Sequence, residues 1–114
     1  MSEEKGSVEP RVLSQENFEE TINGSKPVLV DFFATWCGPC QMMLPVLHDI
    51  AKDEAENSFV VGALNIDDAP DIAAKYGVMS VPSFLVFKDG KEVARMMGAM
   101  PKEMLVEKVK SAIK

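Results

Sequence analysis

Cys37 and Cys40 are the only cysteines in a chain of 114 residues, and they stand three apart in the stretch Trp36-Cys37-Gly38-Pro39-Cys40. Two thiols at that spacing at the start of a helix lie about 5 to 6 Å apart on one face, within the span a disulfide needs. A closed disulfide and an open dithiol are then both accessible to one backbone. The unpaired N–H groups and the macrodipole of a helix N-terminus favour a thiolate, which marks the leading thiol, Cys37, as a nucleophile of lowered pKa. Cys40 lies one turn further in and suits a resolving thiol, one that attacks a mixed disulfide once Cys37 has formed it. Two blander readings stand beside this one, an inert thiol pair and half of a zinc site. Structural zinc normally takes four ligands, and beyond the two cysteines the chain offers one histidine, His48, expected on the surface of the same helix.

The elements that must position this pair alternate between strand-like and helix-like runs, which argues for an α/β domain with a partly parallel sheet. Pro27 to Phe33 reads PVLVDFF, apolar but for Asp31, the pattern of a central strand covered on both faces. It leads directly into the cysteines. A helix is expected from Cys37 to about Ala55, with Met43, Leu47 and Ile50 at helical spacing and a bend at Pro45. Before these come a short edge strand, Pro10 to Leu13, and a helix capped by Ser14, carrying Phe18 and Ile22 on one face and stopped by Gly24. After them come a buried strand, Phe59 to Ile66, a short helix, Pro70 to Tyr76, closed by Gly77, and a strand, Ser83 to Phe87. Asp89-Gly90 signals a hairpin to Lys91 through Met97. A last helix begins with Pro101 in its first turn and carries Met104, Leu105, Val109 and Ala112.

Composition excludes several classes of function. Lys plus Arg number 12 against 18 Asp plus Glu, a net charge of -6, the wrong sign for gripping phosphate backbones. Nucleic acid and anionic membranes are thus poor candidate partners. No apolar run approaches the ~18 residues that span a bilayer. A secreted scaffold of this length usually carries four or more cysteines spread along the chain, and residues 1–8 read as a polar, acidic tail without the apolar core of a secretory signal. The expected compartment is the cytosol, and the expected state a monomer.

The motifs VDFFATWCGPC at 30–40, NID at 65–67, YGVMSVPSFLVFKDG at 76–90 and GA at 98–99 together make the chain resemble a thioredoxin from about residue 12 to 114. The resemblance implies a thioredoxin fold, a central mixed sheet of about five strands flanked by about four helices, in a domain spanning 9–114. It implies reduction of disulfides in other proteins, with no bound cofactor, electrons being supplied by a flavin- or iron–sulfur-containing thioredoxin reductase. Gly38-Pro39 between the cysteines resembles the reducing members. A protein oxidant or isomerase remains an alternative, as does a binding module in which the cysteines are incidental.

Further residues gain expected roles beside the cysteines. An unpaired carboxylate in a central strand pays a large desolvation cost and responds with a raised pKa, so Asp31 is suited to relay a proton to and from Cys40, as its counterpart does in the family. The alternative is a buried carboxyl satisfied by hydrogen bonds. Ala63 stands where many thioredoxins carry a lysine near that Asp, so a higher pKa is expected here than in lysine-bearing relatives. In thioredoxins a cis-proline lies beside the cysteines, which implies a cis Val81-Pro82 bond and a Val81 backbone open to a substrate chain; an ordinary trans proline at a strand start is the alternative. Trp36, Gly38, Pro39, Val81, Pro82, Gly98 and Ala99 are then expected to form a flat apolar docking surface around Cys37. Met79, Met97 and Met100 flank it by sequence, with filling of core gaps as their simpler role. Phe33 replaces a frequent second tryptophan, and Gln41 a frequent lysine, which weakens the positive field on Cys37.

Overall fold

In the computed structural model, which describes residues 9–53 and 58–114, the chain runs β1 (Arg11–Leu13), α1 (Phe18–Ile22), β2 (Val28–Phe33), α2 (Gly38–Lys52), β3 (Val60–Asn65), α3 (Pro70–Lys75), β4 (Ser83–Lys88), β5 (Lys91–Met97) and α4 (Lys102–Ala112). The strands form one sheet in the order β1-β3-β2-β4-β5. β1, β3 and β2 are parallel, and β4 and β5 are antiparallel to their neighbours. The apolar run of β2 thus occupies the middle of the sheet, as its sequence requires, because alternate residues face two separate cores. Val28, Val30 and Phe32 pack with Phe18 and Ile22 of α1 and Ile72 of α3. Leu29 packs on the other face with Met43, Leu47 and Ile50 of α2 and Leu105 and Val109 of α4. Among the described residues no helix is long and apolar enough to cross a membrane.

Local chemistry sets the boundaries. Gly77 ends α3 in the left-handed region at φ +67; its N–H donates to the Ala74 carbonyl and that of Val78 to the Ala73 carbonyl at 2.9 Å, a Schellman closure. Asp89 and Gly90 both take positive φ, the conformation of a two-residue hairpin that follows strand twist. α2 continues through Pro45, whose missing N–H leaves the Gln41 carbonyl without its intrahelical donor.

Four expectations need adjustment. The regular part of α1 starts at Phe18, one turn after Ser14, whose hydroxyl accepts from the Asn17 N–H, whose N–H donates to Asn17 Oδ1 at 2.7 Å and whose carbonyl accepts from the Phe18 N–H at 3.0 Å. The reciprocal pair has the pattern of a capping box at the head of the turn that leads into the helix. α2 begins at Gly38 with Cys37 as its cap, and the expected continuation toward Ala55 enters 54–57, outside the described residues, as does the 1–8 tail. Pro101 is the cap of α4 and not its first turn, consistent with its extended ψ of 154. Met104 points to solvent, leaving Leu105 and Val109 as the buried stripe.

Candidate active site

β2 leads through Ala34, Thr35 and Trp36 into α2, and Cys37 sits on the joint. Its backbone is extended (φ -96, ψ 116), and its Sγ accepts from the Cys40 N–H at 3.1 Å. The sulfur thereby takes a side-chain oxygen's usual place at a helix start and satisfies one of the orphan donors of the first turn. Pro39 in that turn costs no hydrogen bond, since its N–H would have had no intrahelical partner. Cys37 and Cys40 form a disulfide, with Cα atoms 5.2 Å apart. The residues are 6% and 1% exposed, so Cys40 is the deeper, as expected, and Cys37 itself is reached only at its edge. Ala34 shares their small cluster, against which Phe33, Ile66 and Val81 pack.

Asp31 lies on the face of β2 that carries Leu29 and Phe33, between the core beneath α2 and the cysteine cluster. It is 1% exposed, and among the described residues no protein group hydrogen-bonds to either carboxylate oxygen. Burial pushes its carboxyl up from the ordinary 3.8 to about 7, because the interior penalises the charged form and nothing nearby offsets that penalty.

The Val81–Pro82 peptide bond is cis, and the Val81 carbonyl oxygen lies 3.7 Å from Cys37 Sγ. Gly98, at φ +92, donates its N–H to the Pro82 carbonyl at 2.9 Å and so brings the turn after β5 against this segment. Gly38, Pro39 and Ala99 are exposed, Val81 and Gly98 half-buried, and Pro82 buried. Pro82 thus turns the chain beneath the surface and does not lie on it.

Trp36 is 70% exposed, yet its indole Nε1 donates to Asp67 Oδ2 at 3.0 Å. The Asp67 N–H is in turn held by Asn65 Oδ1 at 2.9 Å. Asp67 has no role from spacing alone; its only signal is its place in the NID motif. Gln41 donates to the Thr35 carbonyl at 3.3 Å, bracing the loop before Cys37. Met79 and Met97 are exposed at 95% and 64%, so the gap-filling role holds for Met100, which packs on the α2–α4 core, and not for them. Ser83, buried with its hydroxyl donated to the Ser80 carbonyl at 2.7 Å, was not distinguished in the sequence from any other strand residue. His48 is exposed on α2, and among the described residues no three His, Cys, Asp or Glu side chains gather around a common point.

Comparison with known proteins gives one answer. The family model described as Thioredoxin matches residues 9–111. A thioredoxin of Alicyclobacillus acidocaldarius subsp. acidocaldarius is 46% identical over 93 residues, covering 82% of this chain and 88% of its own. One of Chlamydia caviae is 50% identical over 97 residues, covering 84% and 91%. Among solved structures, a point-mutant thioredoxin from Halobacterium salinarum NRC-1 is similar with a TM-score of 0.85 at 30% identity, over 95% of this chain and 94% of that one.

Proposed function

The chain belongs to the thioredoxin family and is a thiol–disulfide reductase, and from that premise we propose that Cys37 is its nucleophile, Cys40 its resolving thiol and Asp31 the acceptor of the Cys40 proton. The observation that carries this is the N–H of Cys40 directed at Cys37 Sγ at 3.1 Å on the first turn of α2. A donor and a helix dipole aimed at one sulfur stabilise its thiolate and leave the other a thiol.

The Cys37 thiolate attacks one sulfur of a target disulfide; that S–S bond breaks, and the departing target thiolate takes a proton. Cys40 then loses its proton to the Asp31 carboxylate and attacks Cys37 Sγ. The mixed disulfide breaks, the second target thiolate leaves and is protonated, and two electrons have passed from the cysteine pair to the target. A pKa near 7 suits Asp31 to both halves of this cycle, since a group poised near ambient pH accepts and returns a proton with little driving force either way.

Trp36, Gly38, Pro39, Val81, Gly98 and Ala99 form the docking surface, with Pro82 shaping it from below. Val81 pairs its main chain with an extended target segment, in the manner of strand addition. A thioredoxin reductase returns the pair to the dithiol, the protein acts as a monomer and as an electron carrier, and the work belongs in the cytosol, where thiol-reducing systems keep such a couple supplied. Residues 9–114 form the functional domain.

Trapping tests the order of events. With a disulfide-linked peptide, Cys40→Ser accumulates a covalent mixed disulfide on Cys37, visible by mass, and Cys37→Ser accumulates none. The reverse pattern assigns the nucleophile to Cys40 and overturns the reading.

A further inference from the structure

The segment that carries Val81 is laid along β5. Arg95 reaches from β5 to the last carbonyls after α3: Nη1 donates to the Gly77 carbonyl at 3.4 Å and Nη2 to the Tyr76 carbonyl. Its guanidinium is aimed by Glu92 on the same strand, with Nε to Oε2 at 2.7 Å and Nη2 to Oε1 at 2.9 Å. Met97, two positions along and on the same face, receives the Ser80 hydroxyl at its sulfur at 3.9 Å, and Gly98 then takes the Pro82 carbonyl. Successive points of β5 therefore hold successive points of 76–82, with Arg95 fixing the end furthest from Cys37. Between them Met79 stands almost wholly in solvent.

We infer that Arg95, oriented by Glu92, is a positioning residue for target docking: it anchors the start of the 77–82 segment so that the Val81 backbone stands beside Cys37 Sγ ready for an extended chain. The inference rests on the proposed docking at Val81. A half-exposed ion pair within one strand contributes little to overall stability, so the consequence of this one is local. The planar fork is essential, because one edge meets a carboxylate while the remaining donors reach two carbonyls, which a lysine ammonium cannot span.

The test uses the full chain and two substrates, a short disulfide-linked peptide and the same peptide N-methylated on the backbone beside its cysteine, which blocks main-chain pairing but leaves the disulfide. The ratio of their kcat/KM values reads docking alone. In the unaltered protein the methylated peptide is the poorer substrate; in Arg95→Ala the ratio falls about fivefold, through KM of the unmethylated peptide, and Arg95→Lys restores little of it. If methylation does not slow the unaltered protein, docking at Val81 is wrong and the inference falls with it. If methylation slows it and Arg95→Ala keeps the same ratio, docking stands and the role of Arg95 is overturned. A uniform loss on both peptides leaves the ratio unchanged and also counts against it.

Discussion

Asp31 of β2 and Ala63 of β3 stand opposite one another in register, so a methyl group flanks the buried carboxylate on one side and Phe84 of β4, its other register partner, on the other. Paired residues on adjacent parallel strands point to the same face, and a lysine at this position would have carried its ammonium toward Asp31. Without it the carboxyl responds to burial alone, and its pKa rises to about 7. The group is thereby a proton store in the range where thiols exchange.

Stability should record this. Below pH 4 Asp31 is protonated folded and unfolded alike. Between pH 4 and 7 the unfolded chain ionises it while the folded chain does not, so the folded state binds more protons and loses stability as pH rises; the loss is complete above the folded pKa. A shift from 3.8 to about 7 amounts to about 4 kcal/mol. We expect the stability difference between Asp31→Asn and the unaltered protein to move in favour of the variant by up to that amount from pH 4 to pH 8, in urea unfolding. Parallel pH profiles would remove Asp31 as the titrating group.

Ala63→Lys supplies the missing cation. The Asp31 carboxyl pKa should fall below its value in the unaltered chain, because an opposite charge at close range favours the ionised form. The carboxyl carbon shift across an NMR titration measures it directly, and an unchanged midpoint would show that the register neighbour does not set this pKa.

Trp36 is held in an exposed position by Asp67. Asp67→Ala frees the indole to sample other rotamers, and KM for protein disulfides should rise about two- to fivefold with kcat little changed. A fall in kcat with constant KM would assign the pair to chemistry and not to docking.

Gly98→Ala separates backbone from packing. Among the described residues, and apart from its two chain neighbours, no atom lies within 4 Å of the position a Cβ would occupy, while φ is +92, so the cost is conformational, about 1–2 kcal/mol in denaturant unfolding. Because the same residue holds the Pro82 carbonyl, turnover of protein targets should fall as well. Wild-type stability in this variant would show that the turn readily adopts another path.

Much of this was legible beforehand because it is local. The apolar run interrupted by Asp31 reads as a doubly covered strand from its own residues, and a Cys-Gly-Pro-Cys stretch following it reads as a helix start, since capping depends on neighbours in sequence. The element order and the hairpin at Asp89-Gly90 follow from the same short-range patterns. Contacts made by the topology were not legible. Trp36 meets Asp67 because β2 and β3 are adjacent and parallel, and Arg95 meets Tyr76 and Gly77 because the hairpin folds β5 back along the segment after α3; no periodicity encodes either. The cap at Ser14 belongs with the local signals, since its reciprocal partner Asn17 is three residues on, and the regular helix begins one turn later, at Phe18.

The most direct measurement is the reduction potential of the Cys37–Cys40 couple, obtained by equilibrating the protein in defined thiol–disulfide buffers and tagging the free thiols. A reductase requires the couple to stay oxidised in buffers as reducing as the glutathione pool, so that its dithiol is the stronger donor. A couple already reduced under those conditions would make the protein an oxidant or isomerase, and would contradict the direction of electron flow proposed for Cys37.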